Sequence, residues 1–380
     1  MGHAVLSPSA ASRWMACTPS ARLEQQFPNT SSKYADEGTL AHAVGELLIR
    51  DMHNMIEPHD FLAQMEELKK SEYFSHTMFE YAEDYAHVVN EVCTGEFMLF
   101  VEQKLDMTSY IEDGFGTADA IVIRPDLRKL FFFDLKYGKG VRVDAADNSQ
   151  LKIYGLGVLN DYGFVYDIED IELTIYQPRI SPVPSSWSTN YKELIEWAET
   201  VLKPAALLAY EGKGEYKAGK HCGFCRAKGT CRALAEHNME LAKLDFQNPD
   251  LLTDEEILDV LAKTPLFQSW LDAVGEHVFG TALGGKKWPG YKIVEGRSIR
   301  KYSSDEAVIA ALKAKGLTDI YKAPALLGLG DMEKKIGKAP FAEIVGPLLI
   351  KPAGKPTLAV ASDKRPEIVP GAQTDFEVEA

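Results

Sequence analysis

The chain has 380 residues and is 46% apolar, enough for one large domain or two to three ordinary ones with a sizeable core. A formal net charge of −15 excludes a protein that coats nucleic acid nonspecifically, though not one with a local basic groove. No apolar run reaches the roughly 18 residues of a membrane span. The start MGHAVLSPSAASRW lacks a secretory signal, and Leu6 spoils the acylation pattern behind Gly2, so a cytoplasmic protein is expected.

Residues 7–27 read as a helix opened by Ser7-Pro8, an N-cap followed by proline at the first helical position. Helical periodicity continues over 36–56 and 73–94. The pattern turns strand-like at 97–105, 116–124 and 130–136, the last two separated by a Pro-Asp turn at 125–126. A helix over 145–160, a strand over 170–178 and a long helix over 190–211 follow. Residues 222–245 carry a cysteine cluster and a helix; two more helices are expected at 254–263 and 266–282. Residues 286–303 read as a strand or hairpin, short helices run to 347, and the tail from 352 is at most loosely structured. This order predicts an α/β fold of mixed α+β character: a mixed central sheet flanked by helices, plus a helical C-terminal region. The domains expected are 1–245, 246–350 and a tail of 351–380.

The stretch FFFDLK, residues 131–136, ends an apolar strand with Asp134 and Lys136, two apart and so on one face. Asp119 lies on the preceding strand, and a hairpin through 125–128 would bring it to Asp134. Two carboxylates and a lysine at one point suit a hard divalent cation such as Mg²⁺. The plainer reading of an isolated Asp-Leu-Lys is a strand-edge salt bridge. Gln150 and Tyr154 share one helix face, as do His42 and Glu46, and His42 offers a neutral imidazole as a further ligand.

Three of the five cysteines form Cys222-x2-Cys225-x5-Cys231, a spacing that suits a metal centre in a reducing compartment. Zinc would draw a fourth ligand from His221 or His237; an iron–sulfur cluster would draw on Cys17. Cys93 ends an apolar helix and reads as a packing residue. The strip KKWPGYKIVEGRSIRKY, 286–302, interleaves bases with aromatics, Arg297 and Arg300 among them, and suits a DNA path or an ordinary solvated hairpin.

In order, Gly-Thr-x-x-His ending at His42, Gly-x-x-Asp ending at Asp119, Asp134-x-Lys136 and Gln150-x3-Tyr154 resemble the PD-(D/E)XK nuclease superfamily, and within it the RecB and exonuclease V branch. The resemblance covers roughly residues 10–235, with Phe133 where the family often has proline. HAVLSPSAASRWMAC is also similar to an uncharacterised phage family of this class. The resemblance implies a restriction-endonuclease-like core and Mg²⁺- or Mn²⁺-dependent hydrolysis of DNA, with exonuclease action in phage recombination, repair or replication. It implies that Asp119 and Asp134 hold the metal, with His42 and the Leu135 carbonyl as further ligands. Lys136 would act on the attacking water, Gln150 would position the lysine or the scissile strand, and Tyr154 would complete the catalytic set. Glu102 would be an outer acid. It also implies a 4Fe–4S cluster on Cys17, Cys222, Cys225 and Cys231, stapling the two ends of the domain, with Zn²⁺ as the alternative. DNA is the implied partner, together with a phage single-strand annealing or single-strand-binding protein; an oligomer is compatible. Two other readings stand beside it: a catalytically silent DNA-binding or assembly protein on the same fold, and a zinc-binding interaction module.

Overall fold

The computed structural model describes residues 4–28, 33–239, 253–296, 301–317, 320–322, 325–350, 356–360 and 365–368. It has two compact units, Met1–Leu271 and Asp272–Ala380. Their division falls inside a helix, and the expected boundary at 245/246 lies outside the described residues.

The first unit opens with a 3-10 turn, Pro8–Ala10, and two short helices, α1 (Ala11–Ala16) and α2 (Ser20–Leu23). The single helix expected over 7–27 is thus broken at Cys17-Thr18-Pro19, where Cys17 leaves helical geometry before the proline. Next come α3 (Lys33–Met52), α4 (Pro58–Leu68) and α5 (His76–Asn90). Pro58 starts α4 and the Ser75 hydroxyl caps α5 by accepting from the Met78 amide. Three strands follow, β1 (Met98–Asp106), β2 (Phe115–Arg124) and β3 (Lys129–Leu135), then α6 (Ser149–Tyr162), β4 (Asp170–Tyr176) and β5 (Ser185–Asn190). The strands order as β1-β2-β3-β4-β5, with β3 and β4 parallel and the other pairs antiparallel. The sheet is therefore mixed, as the element order predicts.

After β5 a continuous helical stretch runs from α7 (Tyr191–Trp197) through a π turn at Ala198–Leu202 into α8 (Lys203–Glu211). The wide turn ends two residues before Pro204, which has no N–H to donate backward. A 3-10 turn at Lys220–Phe224 and α9 (Arg232–Met239) complete the cysteine region, and α10 (Asp254–Leu283) carries the unit boundary. Two helices are expected there because Pro265 should end the first; instead one helix continues through it.

Alternation along β2 and β3 splits the core in two. Ile121, Ile123, Leu130 and Phe132 pack with α6, α1 and α8 on one face. Ala120, Val122, Phe131, Phe133 and Leu135 pack with α3 and α5 on the other. All three phenylalanines of FFFDLK are buried, each contributing on the order of 2 kcal/mol by removal from water.

The second unit has its own core around Val308, Leu312, Met332 and Phe341. Its elements are β6 (Tyr291–Glu295), β7 (Lys301–Tyr302), α11 (Asp305–Ala314), β8 (Tyr321–Lys322), β9 (Ala325–Leu326), α12 (Leu329–Ile336), α13 (Lys338–Ile344), β10 (Leu349–Ile350) and β11 (Pro356–Val360). The described residues of 286–303 supply strands, as expected, but not a hairpin with each other: β6 pairs with β11 and β7 with β10. β11 thereby gives the expected loose tail one ordered strand. Arg297 and Arg300 lie outside the described residues.

Candidate functional site

The hairpin expected around Asp119 and Asp134 forms. Arg128, in the left-handed region at φ 51°, closes its turn, and the last paired rung is Ala120 with Phe133. One step further along the same register sets Asp119 opposite Asp134. On the other side of β2, Val101 pairs with Ala120 and Gln103 with Ala118, which sets Glu102 opposite Asp119. Three adjacent strands thus each contribute one carboxylate to a single rung. Glu102 has φ 50°, a conformation that costs a non-glycine residue on the order of 1 kcal/mol. Side-chain alternation also slips by one here. Phe100 and Leu105 on β1 pack toward the same cluster, as do Ile121 and Ala118 on β2, although each pair is an odd number of residues apart.

The rung is wired from both sides of the sheet. His42 Nδ1 on α3 lies 3.2 Å from Asp119 Oδ2, and the same oxygen accepts the Leu135 amide at 2.8 Å. Burial opposes a charge on His42, but Asp119 outweighs it through charge and hydrogen bond and raises the imidazole to about 9. Burial and the neighbouring Asp119 charge raise the Glu102 carboxyl to about 7. Lys136 Nζ approaches Asp134 at 2.9 and 3.1 Å, and Gln150 Nε2 on α6 donates to Asp134 Oδ1 at 2.8 Å. Burial pushes Lys136 down, but Asp134 more than offsets this, so it stays an ammonium. Asp134 is 3% exposed, so a strand-end surface pair is not what the chain builds.

His42, Glu102 and Asp119 offer ligand atoms all within 4.8 Å of one another. Asp134 Oδ2 is buried beside them without a hydrogen bond among the described residues, despite its closeness to Lys136. Carboxylate oxygens and an imidazole fit a divalent cation, and the imidazole suits Mn²⁺ better than Mg²⁺. To ligate through Nδ1, His42 would give up its proton.

The other sequence-predicted residues take supporting places. Gln150 holds Asp134 rather than Lys136. Tyr154 stacks on Phe132 with ring centroids 5.1 Å apart. It presses so close to Gly116 that a Cβ there would meet its ring at 2.8 Å, which accounts for the glycine of the Gly-x-x-Asp element. Leu135 presents its amide to the site. Two residues escaped sequence reasoning. Asn148 caps α6 by accepting the Gln150 and Leu151 amides, and Asn-Ser-Gln before an apolar run was a readable cap signal. Gln177 pins the loop between β3 and α6, bonding the carbonyls of Gly138 and Val141 and the Val143 amide. Nothing local in the sequence announces that role.

A second centre gathers Cys17, Cys222, Cys225 and Cys231 around one cavity, with Arg13, Lys217 and Lys228 also on its wall. Burial pushes the Cys222 thiol up and the Cys225 thiol up to about 12. No three ligand atoms of this group lie within 4.8 Å of one another. Tetrahedral zinc with Zn–S near 2.3 Å would hold its sulfurs roughly 3.8 Å apart. Three bonds close the same ends independently of the cysteines: Thr18 to the Lys213 carbonyl, Arg22 to the Tyr210 carbonyl, and the Arg226 amide to Glu24. Cys93 stands apart, its thiol donating to the Val89 carbonyl, with burial raising it to about 11.

A family described as "Protein of unknown function (DUF2800)" matches residues 3–366. The chain belongs to this family. A solved structure titled "Crystal structure of SSO0001" is similar at 14% sequence identity, over 57% of this chain and 95% of that one, with a TM-score of 0.21. Among the described residues of this DUF2800 protein, no helix is long and apolar enough to cross a membrane.

Proposed function

We propose that this DUF2800 protein is a metal-dependent DNA nuclease that hydrolyses phosphodiester bonds at the three-carboxylate rung, in the manner of the PD-(D/E)XK enzymes it resembles. The observation that carries the reading is the register that aligns Glu102, Asp119 and Asp134 on adjacent strands, with Lys136 clamped to Asp134. A divalent cation held by Asp119, Glu102 and His42, with Asp134 beside it, would neutralise phosphate charge and make bound water more acidic. The chain's own groups do the rest. Asp119 is fixed by the Leu135 amide and by His42, so its free lone pairs point to one place. Gln150 and Lys136 hold Asp134 in one rotamer. As an ammonium, Lys136 donates rather than accepts, so it orients the nucleophile and stabilises developing phosphate charge instead of serving as a free base.

The cysteine ring is proposed to hold a 4Fe–4S cluster with a closing role, joining the segment at Cys17 to Cys222–Cys231. Exonuclease action on DNA recombination, repair or replication intermediates is the form of activity proposed. Its test is incubation of the purified protein with end-labelled linear and closed circular DNA in Mg²⁺ or Mn²⁺. Degradation of the linear form alone is expected. Cleavage of both forms would make it an endonuclease, and cleavage of neither would remove the nuclease reading.

A further inference from the structure

A groove of about 1030 Å³ runs beside the cleavage centre, and Lys136 and Gln150 share its wall with Arg13, Phe224 and Arg226. That is at or beyond the size of a small-molecule pocket, roughly 300–1,000 Å³. We infer that the groove carries a single strand of DNA away from the rung and that Phe224 stacks on one of its bases. This inference rests on the nuclease reading.

Phe224 sits between two buried cysteines yet is 69% exposed. Its ring adds nothing to the cavity that Cys222 and Cys225 line. The loop beneath it is stiff: the Cys225 amide donates to the Cys222 carbonyl at 3.1 Å, and Lys228 Nζ to the Gly223 carbonyl at 2.8 Å. An exposed ring on a hydrogen-bonded loop, in a groove that leads from a cleavage centre, suits a stacking platform, and stacking needs an unpaired base.

The charges fit a phosphate backbone. Glu24 is buried and shared, with Arg13 Nε at 2.7 Å and Arg226 Nε at 3.8 Å, so two guanidiniums face one carboxylate; the other charges of the wall are paired, Lys136 with Asp134 and Asp147 with Lys152, which leaves one positive charge over. The N-terminus of α6 opens into the same groove at Ser149 and Gln150 and adds its dipole. A local surplus of this size suits one strand. It does not suit wrapping a duplex, given a chain with net charge −15.

The test uses the full chain and fluorescein-labelled oligo(dT), with binding measured by anisotropy in Ca²⁺ and cleavage measured in Mn²⁺. Phe224→Ala is expected to weaken binding roughly 5- to 150-fold, the range of one lost base stack. The loss should appear in KM more than in kcat. Phe224→Trp should restore it. Both variants should keep the parent's iron content, since the ring lies outside the cavity. A parent that binds and cleaves oligo(dT) while Phe224→Ala matches it overturns this inference and leaves the nuclease reading standing. Equal affinity of the parent for blunt duplex also overturns it. A parent that neither binds nor cleaves any DNA overturns both.

Discussion

The two centres of the first unit are built in opposite ways. The carboxylate rung is assembled by strand register from Glu102, Asp119 and Asp134, all within β1 to β3. The cysteine centre gathers Cys17 and Cys222–Cys231 from the two ends of the unit. A site made by register is as rigid as its sheet and inherits its geometry from the packing of Phe131, Phe132 and Phe133. A site made by closure is only as secure as the contacts that bring its ends together. Chemistry and closure should therefore fail separately.

The largest separation is expected at Lys136. Lys136→Ala should lower cleavage by about 10²–10⁴-fold while Mn²⁺ still binds, as read by electron paramagnetic resonance titration. Cleavage at the parent rate would reduce the pair to a buried structural contact. Next comes Cys225→Ser. It should bleach the brown colour expected of the anaerobically purified protein and lower stability by roughly 5 kcal/mol, the chain-entropy scale of closing a loop of about 200 residues. Cys17→Ser should do the same and Cys93→Ser neither. Because the rung lies elsewhere, the bleached variants should still cleave at saturating DNA and at temperatures below their melting midpoint, with any loss confined to KM through the Phe224 loop. Loss of cleavage in the cold would show the two centres to be coupled.

A finer test compares Glu102→Gln with Glu102→Gly. Both remove an anion from the rung and should weaken Mn²⁺ binding. Only glycine relieves the positive φ, so Glu102→Gly should be the more stable of the two by about 0.5–1 kcal/mol. Equal melting midpoints would mean that the strand relaxes around Gln. The smallest effect is expected for Asn148→Ala, which removes the cap of α6. A loss of about 1 kcal/mol is expected, with a modest drop in cleavage because Gln150 loses its anchor. An unchanged rate would place Gln150 under control of the loop pinned by Gln177.

Helices α3 and α5, the hairpin and the Asp-x-Lys pair were legible because each is written in local pattern: helical period, a Pro-Asp turn, alternation along FFFDLK; α4 and the break at Cys17-Thr18-Pro19 were not read. β5 was not, since Ser185-Ser-Trp-Ser-Thr-Asn has the polar composition of a loop and forms a strand only because β4 offers it an edge. Proline misled at 265, where tertiary surroundings carried the helix past a residue that usually ends one. Glu102 was legible as an acid on the right strand, but its left-handed backbone was not, because no local preference of glutamate produces it. Gln177 was invisible for a related reason: its partners at Gly138, Val141 and Val143 are brought to it by the fold.

The clasp between the ends of the first unit also sets a timetable. Thr18, Arg22 and Glu24 bond to Lys213, Tyr210 and Arg226, positions separated from them by 195, 188 and 202 residues. During synthesis at about 5–20 residues per second, these side chains wait on the order of 10–40 s for their partners to leave the ribosome. Over that interval the sheet can form and the rung can take shape while the amino-terminal segment is still unclasped. The nascent chain would thus hold the three acids of the rung in place before it has the means to close around them.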